Sequence, residues 1–353
     1  MGKRYLLSML CMAVLLVGLS ACDKAEETGS SNPSKEVTVY NWGEYIDPEV
    51  IDQFEEETGY KVNYRLFTAN EEMYTKVVTG AEPYDVIVPS DYMVQRLKED
   101  GLLAEINFDN IPNYDKIDDV LKNLEYDKQN QYSVPYFWGT VGILYNSKLI
   151  DEEPTGWSVF FDERYKDKIL MYDSERDTFM VALTYLGHSM NSQDKHEIEE
   201  AKELLIKQKP LVLAYVIDEL QDKMVTEEAA IALVWSGQAA IAMEENPDLR
   251  FAIPKEPSNL WVDAFAIPKN CRNKEGAEAF INFMCRDDIA LKNMLFTGYT
   301  SANKEVRGLL DKDWADSIAS YPPEDYIRRC EVFRYSPENL KYISRAWLEV
   351  KQK

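Results

Sequence analysis

Histidine is nearly absent from this chain: His188 and His196 are the only two in 353 residues. That argues against a Ser-His-Asp triad and against a multi-histidine metal site. No Gly-x-Ser-x-Gly nucleophile turn occurs, and Trp235-Ser236-Gly237 is not one; no glycine-rich phosphate loop is present either. Cysteine is scarce. Apart from Cys11 and Cys22 there are Cys271, Cys285 and Cys330, an odd number without Cys-x-x-Cys spacing. Neither a disulfide framework nor a zinc site is expected from them, and buried free thiols are the simpler reading. Basic residues are outnumbered, 39 Lys and Arg against 62 Asp and Glu, for a net charge of −23. A surface this acidic repels nucleic acid and anionic lipid and draws in cations.

Long apolar runs are also missing, with one exception. Lys3 and Arg4 precede the apolar stretch Leu6 to Leu19, which is short for a membrane span and suits an export signal. It ends in Leu19-Ser20-Ala21-Cys22, the pattern of a bacterial lipoprotein cleavage box. Residues 1–21 then form the signal peptide, and Cys22 becomes the acylated N-terminus. Residues 22–35 are polar, rich in Ser, Glu and Lys, and broken by Gly29 and Pro33, the composition of a flexible tether. The expected product is a soluble body lipid-anchored to the outer face of the cytoplasmic membrane.

Beyond the tether, strands and helices alternate. Glu36 to Asn41 reads as a strand. Asp47-Pro48 is a helix start, with Val50, Ile51 and Phe54 on its buried face and Gly59 at its end. Lys61 to Phe67 is a second strand, Glu71 to Thr79 a helix closed by Gly80. Tyr84 to Tyr92 reads as a buried strand, a turn and a helix start. This alternation implies α/β layers with a largely parallel sheet, in which ligands bind beyond the carboxyl ends of the strands. Pro135-Tyr136-Phe137-Trp138-Gly139 marks a crossing into a second domain. There, strands are expected at Ile169 to Tyr172 and Ile231 to Trp235, and helices at Thr178 to Leu186 and Lys195 to Gln208.

Three of the strand ends carry a Trp beside an acid or a tight polar turn: Trp42 with Glu44 and Tyr45, Trp235 before Ser236-Gly237, and Trp261 with Asp263. Aromatic faces beside carboxylates make a site for an organic cation. The rings attract the charge and cover the adjoining methylenes, while the carboxylate accepts the N–H donors. Asp263 is the sharpest of these acids, because an unpaired carboxylate in an otherwise apolar strand is costly. It needs an arginine or a ligand amine. Trp157 and Trp347 read as core, and Trp138 as packing at the crossing.

Several segments in order are similar to the spermidine/putrescine-binding proteins of bacterial ABC transporters. They are Tyr40-Asn41-Trp42-Gly43-Glu44-Tyr45, Tyr84-Asp85-Val86-Ile87-Val88-Pro89-Ser90, Val134 to Gly139, Ala266 to Asn270, Asn273 to Ala277 and Gly298-Tyr299-Thr300. The resemblance covers the whole mature body. It implies a two-lobe periplasmic-binding-protein fold of type II, each lobe a mainly parallel sheet flanked by helices, with ligand trapped between them. The lobes would be residues 36–138 with 261–307, and 139–260 with 308–353. It also implies a ligand site made of Trp42, Glu44, Tyr45, Ser90, Tyr92, Asp177, Trp235, Trp261, Asp263 and Tyr299. No catalytic residue, metal or cofactor is expected. The implied partners are a polyamine and the permease subunits of the transporter, with the chain itself a monomer. Ser174 stands where spermidine binders carry an acid, Gly43 replaces a hydroxyl residue, and Phe333 a polar one; these departures bear on ligand length. Asp173 or Glu175 is positioned in sequence to replace the acid. Thiamine, another cation suited to aromatic walls, is the alternative ligand. An extracellular glycosidase, which also uses paired carboxylates, is the alternative from a different class, and the ordered motif set argues against it.

Overall fold

The computed structural model describes residues 35–80 and 82–353. The signal peptide, Cys22 and all of the tether except Lys35 lie outside the described residues. Ten strands form one sheet: β1 (Glu36–Trp42), β2 (Lys61–Phe67), β3 (Val86–Ile87), β4 (Ser133–Asn146), β5 (Ile169–Tyr172), β6 (Val212–Val216), β7 (Ile231–Trp235), β8 (Leu249–Ala252), β9 (Leu260–Ala266) and β10 (Thr300–Ser301). Their order is β2-β1-β3-β9-β4-β7-β5-β6, with β8 and β10 also paired to β4. The outer pairs are parallel, β1 with β2 and β3 on one side, β5 with β6 and β7 on the other. The middle is antiparallel, because β4 and β9 run against each other and against their neighbours. Parallel pairing follows from the β–α–β units read in the sequence. The antiparallel centre comes from the two crossing strands, whose pairing has no local signature.

Local chemistry sets the element ends. The helix Pro48–Thr58 has Asp47 as N-cap, its carboxylate accepting the Glu49 N–H, and stops at Gly59 with φ 72°. The helix Asn70–Thr79 stops in the same way at Gly80, φ 59°. Val50 and Phe54 are fully buried on the inner face of the first helix, three and four residues being one helical turn.

Two large cores flank the crossing. One gathers Val37, Val39, Phe54, Phe137, Phe265 and Phe280; the other gathers Trp157, Phe160, Ile169, Tyr172, Ile231 and Val234. A third, smaller core packs Phe179 and Leu205 against Trp347 and Val350 of the C-terminal helix Pro337–Gln352. The first core draws on chain up to Trp138 and again from Leu260; the second is filled mainly by the chain between, with Ala319 and Phe333 added from beyond it. Strand β4 feeds both, and all fourteen of its residues are buried. Trp138 donates its indole N–H to the Ser301 carbonyl and is packing. Trp157 and Trp347 are core, as read from the sequence. Cys271, Cys285 and Cys330 are free thiols.

Candidate functional site

Trp42 ends β1, Ser90 follows β3, Asp177 lies in the helix after β5 and Trp235 ends β7, while Trp261 and Asp263 are carried by β9. Asp263 is buried, 8% exposed. Its Oδ2 accepts the Tyr45 hydroxyl at 2.5 Å, and Ser90, which pairs with it in an isolated bridge, supplies a second side-chain hydrogen bond. Burial raises its pKa, and these two bonds oppose the rise. Among the described residues it has no ion pair, so the arginine alternative is not realised. The Tyr45 ring stands edge-on to Tyr299, centroids 5.6 Å apart, and Tyr299 stands edge-on to Trp261 at 5.4 Å. Trp261 and Asp263 thus serve one face of β9, as the two-residue period of a strand requires. The Trp261 indole N–H is buried without a partner in the described structure. Trp42 lies further along the same wall, 6.5 Å from Tyr45, with its indole N–H donated to the Val88 carbonyl.

Asp177 centres the opposite wall. It is 5% exposed. Oδ2 accepts the Ser174 hydroxyl at 2.5 Å and Oδ1 the Trp235 indole N–H at 3.3 Å. Burial raises its pKa, against the lowering effect of these two donors. The Trp235 ring lies 4.4 Å from Tyr172, whose hydroxyl accepts the Trp235 backbone N–H and donates to Gln238. Gly237 joins the walls: a Cβ there would come within 2.1 Å of the Tyr299 ring. Ser174 is the N-cap of the helix Glu175–Tyr185 and accepts the Asp177 N–H. A serine in place of an acid therefore holds Asp177 rather than leaving a gap. Asp173 is bound by Lys351 at 2.6 Å and Glu175 by the Ser344 hydroxyl at 2.7 Å.

Tyr92 closes the end of the site. Its hydroxyl accepts from Asn70 and donates to Glu71, and the Arg176 guanidinium lies 3.9 Å over its ring. Arg176 also pairs with Glu71 at 3.6 Å, which carries it across from the helix of Asp177 to the first core. It does not pair with the acids of its own loop, and Arg164 pairs with Asp162. Ser90 occupies the N-cap position of the helix Asp91–Glu99 but makes no side-chain capping bond; its Oγ accepts from Asn70 instead. Glu44 stands exposed on the turn after β1 in a left-handed conformation, φ 51°. Nothing among the described residues draws it toward Asp263 or Asp177. Phe333 packs partly buried against the second core.

Two neighbours of these residues escape a reading of the sequence: Asn70, which buttresses Ser90 and Tyr92, and Asp91, which accepts the Val262 N–H. Asp91 is buried, and its pKa is raised to about 8, chiefly by burial and further by the Asp263 charge. The only signal for it was an acid at the first turn of a helix, which ordinarily faces water. Among the described residues, no group of three His, Cys, Asp or Glu is arranged to hold a metal ion, and no helix is long and apolar enough to cross a membrane.

A two-sided wall of rings and carboxylates between two cores that share their crossing strands is the architecture of a type II periplasmic binding fold. The profile described as bacterial extracellular solute-binding protein matches residues 49–322. The spermidine/putrescine-binding periplasmic protein of Salmonella typhimurium is 35% identical over 331 residues, 93% of each chain. Among solved structures, the spermidine/putrescine ABC transporter substrate-binding protein of Streptococcus pneumoniae superposes with a TM-score of 0.84 at 38% identity, covering 90% of this chain and 99% of that one. A lipoprotein of Treponema pallidum gives 0.81 at 26% identity, covering 90% of this chain and 100% of that one. The chain belongs to the family of bacterial extracellular solute-binding proteins, in the group of the spermidine/putrescine-binding proteins. These relatives are substrate-binding proteins of transport, not enzymes. The thiamine alternative finds no support among them.

Proposed function

We propose that this protein captures a linear polyamine, spermidine or putrescine, outside the cytoplasmic membrane and hands it to the permease of an ABC transporter. The observation that carries this is Asp263: a buried carboxylate with no cation paired to it among the described residues, held by Tyr45 and walled by Tyr299 and Trp261. An amine of the ligand supplies the missing charge there, and Asp177 takes a second beside Trp235. Trp42, Tyr92 and Tyr299 cover the methylenes between, with Ser90 as a polar contact and Glu44 as an outer carboxylate. No bond is made or broken. A buried charge pair about breaks even against desolvation unless its geometry is good, so selectivity comes from matching amine spacing to the spacing of the two acids. The lipobox supports attachment through Cys22, with the chain acting as a monomer. The proposed lobes are those bounded at Trp138, Leu260 and Arg307.

Calorimetric titration of the mature protein with putrescine, spermidine and spermine tests the proposal. One-to-one binding of at least one of them is expected; a folded, ligand-free sample that gives no heat with any would refute it. Ser174→Ala is expected to cost about 1 kcal/mol of stability through the lost N-cap and to weaken binding several-fold, because Asp177 loses one of its two orienting donors. Thermal denaturation and the same titration check this. An unchanged affinity would mean that Asp177 does not meet the ligand.

A further inference from the structure

Three passes of the chain join the two large cores. They are β4, the residues that lead into β9, and Glu331, whose carbonyl accepts the Leu260 N–H at 2.8 Å and whose N–H is donated to the Ser258 carbonyl at 2.9 Å. Arg176 joins the cores a further time, by side chains alone. It starts from the helix Glu175–Tyr185, which follows β5, and reaches Glu71 in the helix Asn70–Thr79, which follows β2. In the sheet β1, β3, β9, β4 and β7 separate those two strands. At about 4.8 Å per strand, neither helix belongs to the crossing. Met180 and Val181 seat the first helix in the second core, while Met73 and Val77 seat the other in the first core, against which Tyr92 also packs.

The contact has two parts of unequal strength. The ion pair is long, 3.6 Å from Arg176 Nη2 to Glu71 Oε1, and the Glu71 side chain is 55% exposed. Such a pair contributes little. The stacked part is better placed: the guanidinium carbon lies 3.9 Å from the centre of the Tyr92 ring, on a side chain only 25% exposed. A flat guanidinium over a ring, shielded from water, is the stronger of the two contacts. Asn70 holds the Tyr92 hydroxyl and keeps that ring in place. Arg176 directly precedes Asp177, so a fixed guanidinium also fixes the acid. Arg334 spans the cores as well, to Glu125 at 2.7 Å, but both side chains are about half exposed and Arg334 follows Glu331 closely, beside the crossing.

We infer that Arg176 is the clamp of the site: it fastens the Asp177 wall to Tyr92 once a polyamine has entered, and it sets how long the ligand is held rather than how fast it arrives. This rests on the polyamine reading and deepens it. Two halves linked at one crossing open by turning about it, and a contact away from that crossing is broken by the turn. A contact made only in the closed arrangement slows opening, and release waits on opening. Entry precedes closure, so association does not draw on the clamp. Arg176 is a positioning residue here. Its charge has a second effect of opposite sign, because a guanidinium repels an incoming amine. Removing it weakens binding where the clamp dominates and tightens binding where repulsion does.

Stopped-flow tryptophan fluorescence on the mature protein, with putrescine and with spermidine, reads both rates. Arg176→Met keeps the apolar stem and loses the guanidinium; it is expected to release ligand about tenfold faster, with association within about twofold of the wild type. Arg176→Lys keeps the charge without the flat face and is expected to behave like Arg176→Met. Glu71→Gln is expected to change release by less than about threefold, since its pair is exposed. The melting temperature of the ligand-free protein is expected to stay the same in all three, which separates a clamp from a residue that merely supports the fold. Unchanged release in Arg176→Met overturns the inference. So does tighter binding, full rescue by lysine, or a ligand-free variant destabilised as much as the bound one. A wild type that responds to neither polyamine ends the polyamine reading and the clamp with it; a wild type that binds, beside an Arg176→Met variant that releases at the same rate, ends the clamp alone.

Discussion

Asp263→Asn is expected to lose most of the polyamine affinity while the protein stays folded. The asparagine side-chain oxygen can still accept the Tyr45 hydroxyl and the Ser90 bond that now reach the carboxylate, so the wall keeps its shape. What it cannot supply is the negative charge, and an amine would then be buried against a neutral dipole. Truncating one partner of a buried, hydrogen-bonded charge pair costs on the order of 2–5 kcal/mol, which is about 30-fold to several thousand-fold in Kd. Calorimetry on the variant, beside circular dichroism to show the fold intact, decides the matter. Wild-type affinity in the variant would remove Asp263 from the cation site.

The second large effect is expected from a residue that touches no ligand. Gly139 lies in β4 opposite Trp261, and a Cβ there would come within 2.5 Å of both the Trp261 ring and the Ser236 hydroxyl. Neither neighbour is a free chain end. The indole is wedged against Tyr299, and the Ser236 Oγ accepts the Thr140 N–H at 3.3 Å. Gly139→Ala should therefore push Trp261 out of line. Overpacking of this kind costs about 1–3 kcal/mol of stability, and the displaced ring should cost at least a tenfold loss of affinity. The variant is expected to melt a few degrees lower and to bind weakly, with Trp fluorescence altered. Unchanged binding would mean that the face of Trp261 is not part of the site.

Much of the scaffold was legible in the sequence, because its signals are local. Asp47-Pro48 and Gly59 bracket a helix by capping chemistry, and β2, β5 and β7 fall where alternation and β-branched residues put them. The antiparallel centre was not legible. Nothing within Val134 to Tyr145 reveals that β4 pairs with β9 on one side and with β7 on the other, since partners so distant leave no periodic mark. At the site, Tyr45, Tyr299, Trp261 and Asp263 do come together, and so do Asp177 and Trp235. What stayed hidden in the sequence is which hydrogen bonds form. Ser90 stands at a helix start, where serine usually caps, yet its Oγ accepts from Asn70 and its side chain bonds Asp263. Ser174 reads as a lost acid because a substitution is seen without its neighbours, yet it orients Asp177. Arg176 reads as a partner for the acids of its own loop, yet it reaches Glu71, and Asp91 gives no sign of its burial until the packing around it is known.

The order in which the sheet is assembled has a consequence for export. Strand β3 is bordered by β1 on one side and β9 on the other, and β4 lies next to β9. A chain emerging from the membrane amino end first therefore presents β3 and β4 with their shared neighbour β9 still untranslocated. Neither of the inner edges can be sealed until the intervening segment has passed through and found its own core. Closing so long a loop is slow, and open strand edges invite pairing with other chains. The second core, whose strands β5, β6 and β7 emerge together, has the shorter path and is the half suited to fold first, leaving β9 to complete the first half from behind.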